Sequence, residues 1–251
     1  MSSFANLYIK KIIDLLNKIS IEEEDNFKAA ANILADAIEG DGRIFACGNS
    51  HSATTMQDIY TRAGGLALIN AIFIPGLEAL HTTPLGLGSK IERLQGYAEI
   101  ALDYAPIRKG DVLIVVSVSG RNAVSIEFAE IAKKRGIKVI AVTGLSYSKS
   151  VKPRHPDGKN MFEYADVVLD NKAVEGDAIL EAEGMKQKFC PVSGITSTAV
   201  LQCMVAATVE ELLARGITPP IFMAANMDGG EEYNEKILAE NRKRIFYLKP
   251  E

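Results

Sequence analysis

The chain has 251 residues and a formal net charge of −4, with 47% hydrophobic and 24% charged residues and no tryptophan. That composition excludes an unfolded polyelectrolyte, and an acidic balance without clustered lysine and arginine leaves no electrostatic footprint for nucleic acid. Cys47, Cys190 and Cys203 fall in no Cys-x-x-Cys or Cys/His spacing, so neither a disulfide framework nor a metal site is indicated, and a reducing cytoplasm is the expected setting.

The opening stretch MSSFANLYIKKIIDLLNKIS carries charges among its apolar residues, which suits neither a signal peptide nor a membrane span. Leu7, Ile12, Leu15, Leu16 and Ile19 recur at helical spacing over 4–19, and Phe27, Ile33, Leu34 and Ile38 do so over 22–39. Ser20 followed by Glu23 resembles a capping box for the second helix, and Gly40-Asp41-Gly42 ends it. Residues 1–40 are thus expected to form a helical extension.

Beyond it, apolar β-type runs at 44–47, 71–74, 112–116, 138–142 and 166–169 alternate with helical patterns at 53–63, 91–103 and 123–135. Strand and helix in alternation predict a parallel sheet with crossovers, and VLIVVSVSG, which lacks in/out alternation, suits a central strand covered on both faces. The expected fold is α/β, a three-layer sandwich spanning 41–215. Residues 145–164 read as a long, partly ordered loop, and 195–214 as a strong helix with Met204 in the core. Residues 216–251 are expected to give an irregular segment and a charged helix packed on the same domain.

Two strand-to-helix turns carry the chemistry: Gly48-Asn49-Ser50-His51-Ser52 and Ser117-Val118-Ser119-Gly120-Arg121-Asn122. In a parallel sheet both emerge at the carboxyl edge, where open α/β folds bind ligands, and both lead into helix N-termini that attract anions. Helix capping explains one such turn by itself. Two at one edge point instead to a cradle for phosphate. Neither contains G-x-G-x-x-G or G-K-[ST], so no nucleotide cofactor is expected.

The strings FACGNSHS, GDVLIVVSVSGRNAVSIEFAEIAKKRGIKVIAVTG and ADVVLDN resemble the SIS (sugar isomerase) domain family over about residues 40–215. The resemblance implies a flavodoxin-like, five-stranded parallel sheet and a phosphorylated sugar as ligand. It also implies a homodimer or homotetramer whose pockets are shared between subunits; from the charge balance and the N-terminal composition, no nucleic-acid or membrane partner is expected. In such domains a Ser-x-Ser-Gly-x-[Ser/Thr] loop grips the phosphate, which carries over to Ser117, Ser119, Gly120 and, with an amide for the usual hydroxyl, Asn122. Gly48, Asn49, Ser50 and Ser52 resemble the Gly-Asn-Gly-Gly-Ser turn of phosphoheptose isomerases. RAGGL, IERLQGYAE, RHPDGK and NMDGGEEYN are closer still to a group of uncharacterised SIS proteins bearing that isomerase's name.

The isomerase resemblance also implies a glutamate in the helix after the first loop and a histidine in the late helix. Residues 53–66 hold Asp58 but no glutamate, with Thr61 or Arg62 at its place, and residues 190–215 hold no histidine. Moving a proton between C1 and C2 requires a positioned base. Glu78 and Glu92 are the carboxylate candidates, and His51 and His81 the candidates for ring opening, each weighed against a solvated or structural role. His155 stands with Lys152, Arg154 and Lys159 in a basic patch that is either a lid or a solvated surface. Asp177 and Ser193 either line the pocket or cap the late helix. A non-catalytic phosphosugar sensor is the alternative to an isomerase.

Overall fold

The computed structural model describes residues 3–77, 84 and 86–248. Helix α1 (Phe4–Glu22) and helix α2 (Glu24–Glu39) pack as the expected pair, but the junction between them differs from a Ser20 capping box. Ser20 lies inside α1, where its hydroxyl donates to the Asn17 carbonyl. Glu23 takes the cap position, and its buried carboxylate accepts from Asn26 Nδ2, the Asp170 amide and Lys172 Nζ. A buried carboxylate needs a cationic partner. Lys172 supplies it and ties the helical pair to the far side of the sheet.

The sheet comprises β1 (Ile44–Gly48), β2 (Ile69–Ala71), β3 (Val112–Val116), β4 (Lys138–Thr143) and β5 (Val167–Asp170), all parallel, in the order β2-β1-β3-β4-β5. Between the strands run α3 (His51–Gln57), α4 (Leu87–Ile91), α5 (Tyr97–Tyr104), α6 (Ala123–Lys134) and α7 (Leu145–Ser150). The pattern read as one helix over 91–103 is two, broken at Gly96 in the left-handed region (φ 81°).

Alternate strand residues feed two separate cores. Ile44, Ala46, Ile114 and Ile140 pack with α2 and with Met204 and Leu212, while Phe45, Cys47, Leu113 and Val139 pack with Leu102 and Phe128 of α5 and α6. Both faces are covered, which is why the strand sequences show no alternation.

A two-stranded antiparallel ribbon, β6 (Ala178–Leu180) and β7 (Phe189–Pro191), follows the sheet and was not foreshadowed by any apolar run. Helix α8 (Ser193–Ala214) is the one helix among the described residues long and apolar enough to cross a membrane. Its Val200, Leu201, Met204 and Leu212 are fully buried in the first core, so it packs as a core helix. Residues 145–164 are ordered by α7 and by a 3-10 turn at Met161–Tyr164 that Asn160 and Glu163 cap reciprocally. Helix α9 (Gly230–Glu240) precedes a tail that lies along the β2 edge. There the buried Asn70 donates to the Ile44, Leu68 and Arg244 carbonyls and accepts from the Phe246 amide.

Candidate functional site

Strand order reverses between β1 and β3, since the chain leaves β1 outward to β2 and returns on the other side to β3. In open α/β sheets the crevice at such a reversal is the ligand site. Here the carboxyl ends of β1 and β3, paired at Gly48 and Val116, open into a cavity of about 410 Å³. Asn49, Ser50, His51 and Ser52 line it from the first loop, and Ser117, Val118, Ser119 and Asn122 from the second.

The first loop turns sharply. A β-carbon on Gly48 would lie 2.7 Å from the Ser52 carbonyl oxygen, so only glycine permits the turn. Ser50 sits at φ 53°, ψ −120°, a conformation costly for a residue with a side chain. Its amide is held by the Leu77 carbonyl at 2.8 Å, and its hydroxyl donates to Glu92 Oε1 at 2.7 Å. Asn49 is buried and donates to Ser125 Oγ, while its own Oδ1 has no partner.

The second loop has its carbonyls tied back and its amides free. Val118 O accepts from the Gly144 amide and Thr143 Oγ1, and Gly120 O accepts from the Met161 amide. The amides of Ser119, Gly120, Arg121 and Asn122 have no partner among the described residues. Successive free N–H groups around a left-handed residue form a concave nest for an anion. Gly120 supplies that residue at φ 58°, and a β-carbon there would come within 2.7 Å of Ser148 Oγ.

Asn122 begins α6, yet its side chain does not cap the helix. Its Nδ2 donates to Glu92 Oε2 at 2.5 Å and its Oδ1 accepts from Arg154 Nη1 at 3.0 Å. Against a free amide standing in for the family's hydroxyl, its side chain is already engaged, and its backbone N–H is what it offers an anion. Glu92 is thereby suspended between the two loops, one oxygen on each, and lines the cavity. Nothing in the sequence indicated that the end of α4 returns to the first loop.

The opposite wall comes from Tyr147, Asp177, Pro191 and Ser193. Asp177 both lines the cavity and caps α8, accepting from the Ser193 amide at 2.8 Å and the Ser193 hydroxyl at 2.6 Å. Tyr147 had no signal in the sequence beyond its place in a polar stretch. His51 is exposed on the first turn of α3, at the cavity lip. Glu78 and His81 lie outside the described residues.

Other titratable groups lie elsewhere. Asp58 pairs with Arg62 and accepts from Gln202 Nε2 at 2.9 Å. His155, 12% exposed at its side chain, bonds Asp157 through Nδ1 and lies 3.8 Å from Glu127 Oε1 through Nε2, fastening the 151–160 strap onto α6. Burial holds the Glu127 carboxyl above its ordinary value, against the opposing pull of the Gly96 amide and His155. Glu130, His155 and Asp157 are close enough to share a metal ion, but Glu130 already pairs with Lys134 at 2.7 Å. Burial likewise pushes the Cys47 thiol far up, which leaves it inert.

Residues 7–144, more than half the chain, match the pattern of the SIS domain. The chain belongs to the SIS-domain family. It is 42% identical to a UPF0309 protein of Streptomyces griseus over 246 residues, 98% of each chain, and 41% identical to one of Shouchella clausii over 246 residues, 98% of this chain and 100% of that one. Among solved structures, a phosphoheptose isomerase from Francisella tularensis is similar at a TM-score of 0.54 and 17% identity, covering 84% of this chain and 100% of that one. The Vibrio vulnificus NanR protein, solved with ManNAc-6P, is similar at 0.52 and 12% identity, covering 96% and 70%. These are likenesses of fold, and this chain's sheet order and flanking helices are those of an SIS-type, flavodoxin-like sandwich.

Proposed function

We propose that the chain binds a phosphorylated sugar in the cavity between the two loops and isomerises it between aldose and ketose. The phosphate rests on the free amides of Ser119 to Asn122 with the hydroxyls of Ser117 and Ser119, and Ser52 faces it from the first loop. Anchoring the phosphate away from the reacting carbons lets binding energy orient a small substrate. Glu92 then carries the proton between C1 and C2 through an enediol, and His51, at the lip, serves ring opening. The observation that carries this reading is that one cavity holds both serine loops and a carboxylate suspended between them.

The second reading is a non-catalytic phosphosugar sensor. It is favoured by the absence of histidine from residues 190–215 and by the two hydrogen bonds that already engage Glu92. Incubation with aldose and ketose phosphates in D₂O separates the two. Deuterium at C1 or C2, lost in Glu92→Gln, supports the isomerase; protection from melting with no exchange supports the sensor; neither response sinks both.

A homodimer or homotetramer belongs to the same proposal. Ile9 and Ile13 form an exposed apolar step on α1, spaced one helical turn apart. A monomer by light scattering at micromolar concentration contradicts it.

A further inference from the structure

Arg93, Arg121 and Arg154, on the turn after α4, the second loop and the 151–160 strap, each adjoin a residue that lines the cleft: Arg93 follows Glu92, Arg121 precedes Asn122, and Arg154 bonds Asn122. The strap is held against the loop by the Arg154 amide on the Arg121 carbonyl at 2.7 Å and by Arg121 Nε on the Lys152 carbonyl at 3.0 Å. Arg154 Nη1 then reaches Asn122 Oδ1 at 3.0 Å. Elsewhere Arg43, Arg62, Arg135, Arg215 and Arg244 each bridge to a carboxylate. Arg93, Arg121 and Arg154 have no ion-pair partner among the described residues. Burial and the neighbouring charges of Arg121 and Arg93 hold Arg154 below the ordinary guanidinium value.

Three guanidiniums against the single carboxylate of Glu92, which acts on Arg154, leave an excess of positive charge that an incoming anion relieves. Guanidinium forks match carboxylate and phosphate geometry, and such pairs are stronger than neutral hydrogen bonds. The nearby carboxylate, Glu92, is engaged with Ser50 and Asn122. Asn122 divides two basic environments: its backbone N–H belongs to the nest, while its side chain faces Arg154. We infer that the three arginines form a second anion subsite, and that the ligand is a sugar phosphate bearing a further anionic group, a carboxylate or a second phosphate, at the end remote from the first. This rests on the phosphosugar reading and narrows it to doubly anionic sugars.

Calorimetric titration of the full chain with matched probes tests it: glucose 6-phosphate against 6-phosphogluconate, and fructose 6-phosphate against fructose 1,6-bisphosphate. The doubly anionic member of at least one pair is expected to bind about tenfold tighter, a difference of about 1.4 kcal/mol. The pair that responds identifies the second group. Arg93→Ala, an exposed position, is expected to abolish that preference while leaving monophosphate affinity unchanged, and Arg93→Lys to restore part of it. Equal binding within both pairs overturns the inference and leaves the phosphosugar reading standing. Equal weakening of all probes by Arg93→Ala also overturns it, because the arginines would then serve the first phosphate. Failure of every probe to bind the folded chain rejects the phosphosugar reading and the inference with it.

Discussion

Ser50 and Gly120 show how much of the cleft depends on single backbone angles. The strain at Ser50 is held by the hydrogen bond its amide donates to the Leu77 carbonyl and repaid in position: the hydroxyl is delivered to Glu92. Gly120→Ala would force a side chain into the left-handed region and against Ser148 Oγ, at a cost of about 2 kcal/mol. Urea denaturation should register that loss, and the same substitution should weaken phosphate-probe binding; unchanged stability would show that Ser148 moves aside freely. Both loops were legible in the sequence because small hydroxyl residues interrupt apolar strand runs. The engagement of Asn122 with Glu92 and Arg154 was not, since it joins residues about thirty positions apart through side chains alone. Glu92 stood out only as one of several charges at a helix start.

The α5 and α6 helices illustrate what a periodic pattern leaves open. An apolar repeat marks a helix but not its break: α4 ends at Ile91, and Gly96 opens α5 by adopting φ 81°. Its amide is then received by both oxygens of Glu127 on α6, at 2.8 and 3.0 Å. That carboxyl, facing His155 and Glu130, holds its proton more firmly folded than unfolded, chiefly because it is buried. Just above the ordinary carboxylate value the native state therefore binds more protons than the unfolded chain, and this group's contribution to stability falls as pH rises. Melting of the wild type and Glu127→Gln from about pH 4 to about pH 5.5, below the ordinary histidine range, should show the wild type losing ground to the variant with rising pH. A flat or opposite trend refutes it. The β6–β7 ribbon escaped sequence reading for a related reason: its strands are three residues long, and one of them holds Cys190 at positive φ, a conformation no strand pattern announces.

Taken whole, the chain was most legible where burial is two-sided. The central strands β1, β3 and β4 appear as unbroken apolar runs because helices cover both faces, and their order follows from the crossovers. The edge was harder, and β2 lies at 69–71 rather than 71–74, because its pairing is completed by the tail of the chain rather than by a pattern of its own. Asn70 makes that join, and Asn70→Ala should cost about 3 kcal/mol by orphaning buried backbone groups. It should also release the tail to limited proteolysis; an intact tail in the variant would mean that Tyr247, bonded to the Ala67 carbonyl, suffices.

The tail works as a bookend. With the outer rim of β2 engaged by residues from beyond α9, that rim offers little template for a stranger's strand, the usual route to runaway stacking. A second copy is thereby turned away from this border of the sheet, the one nearest the first serine turn.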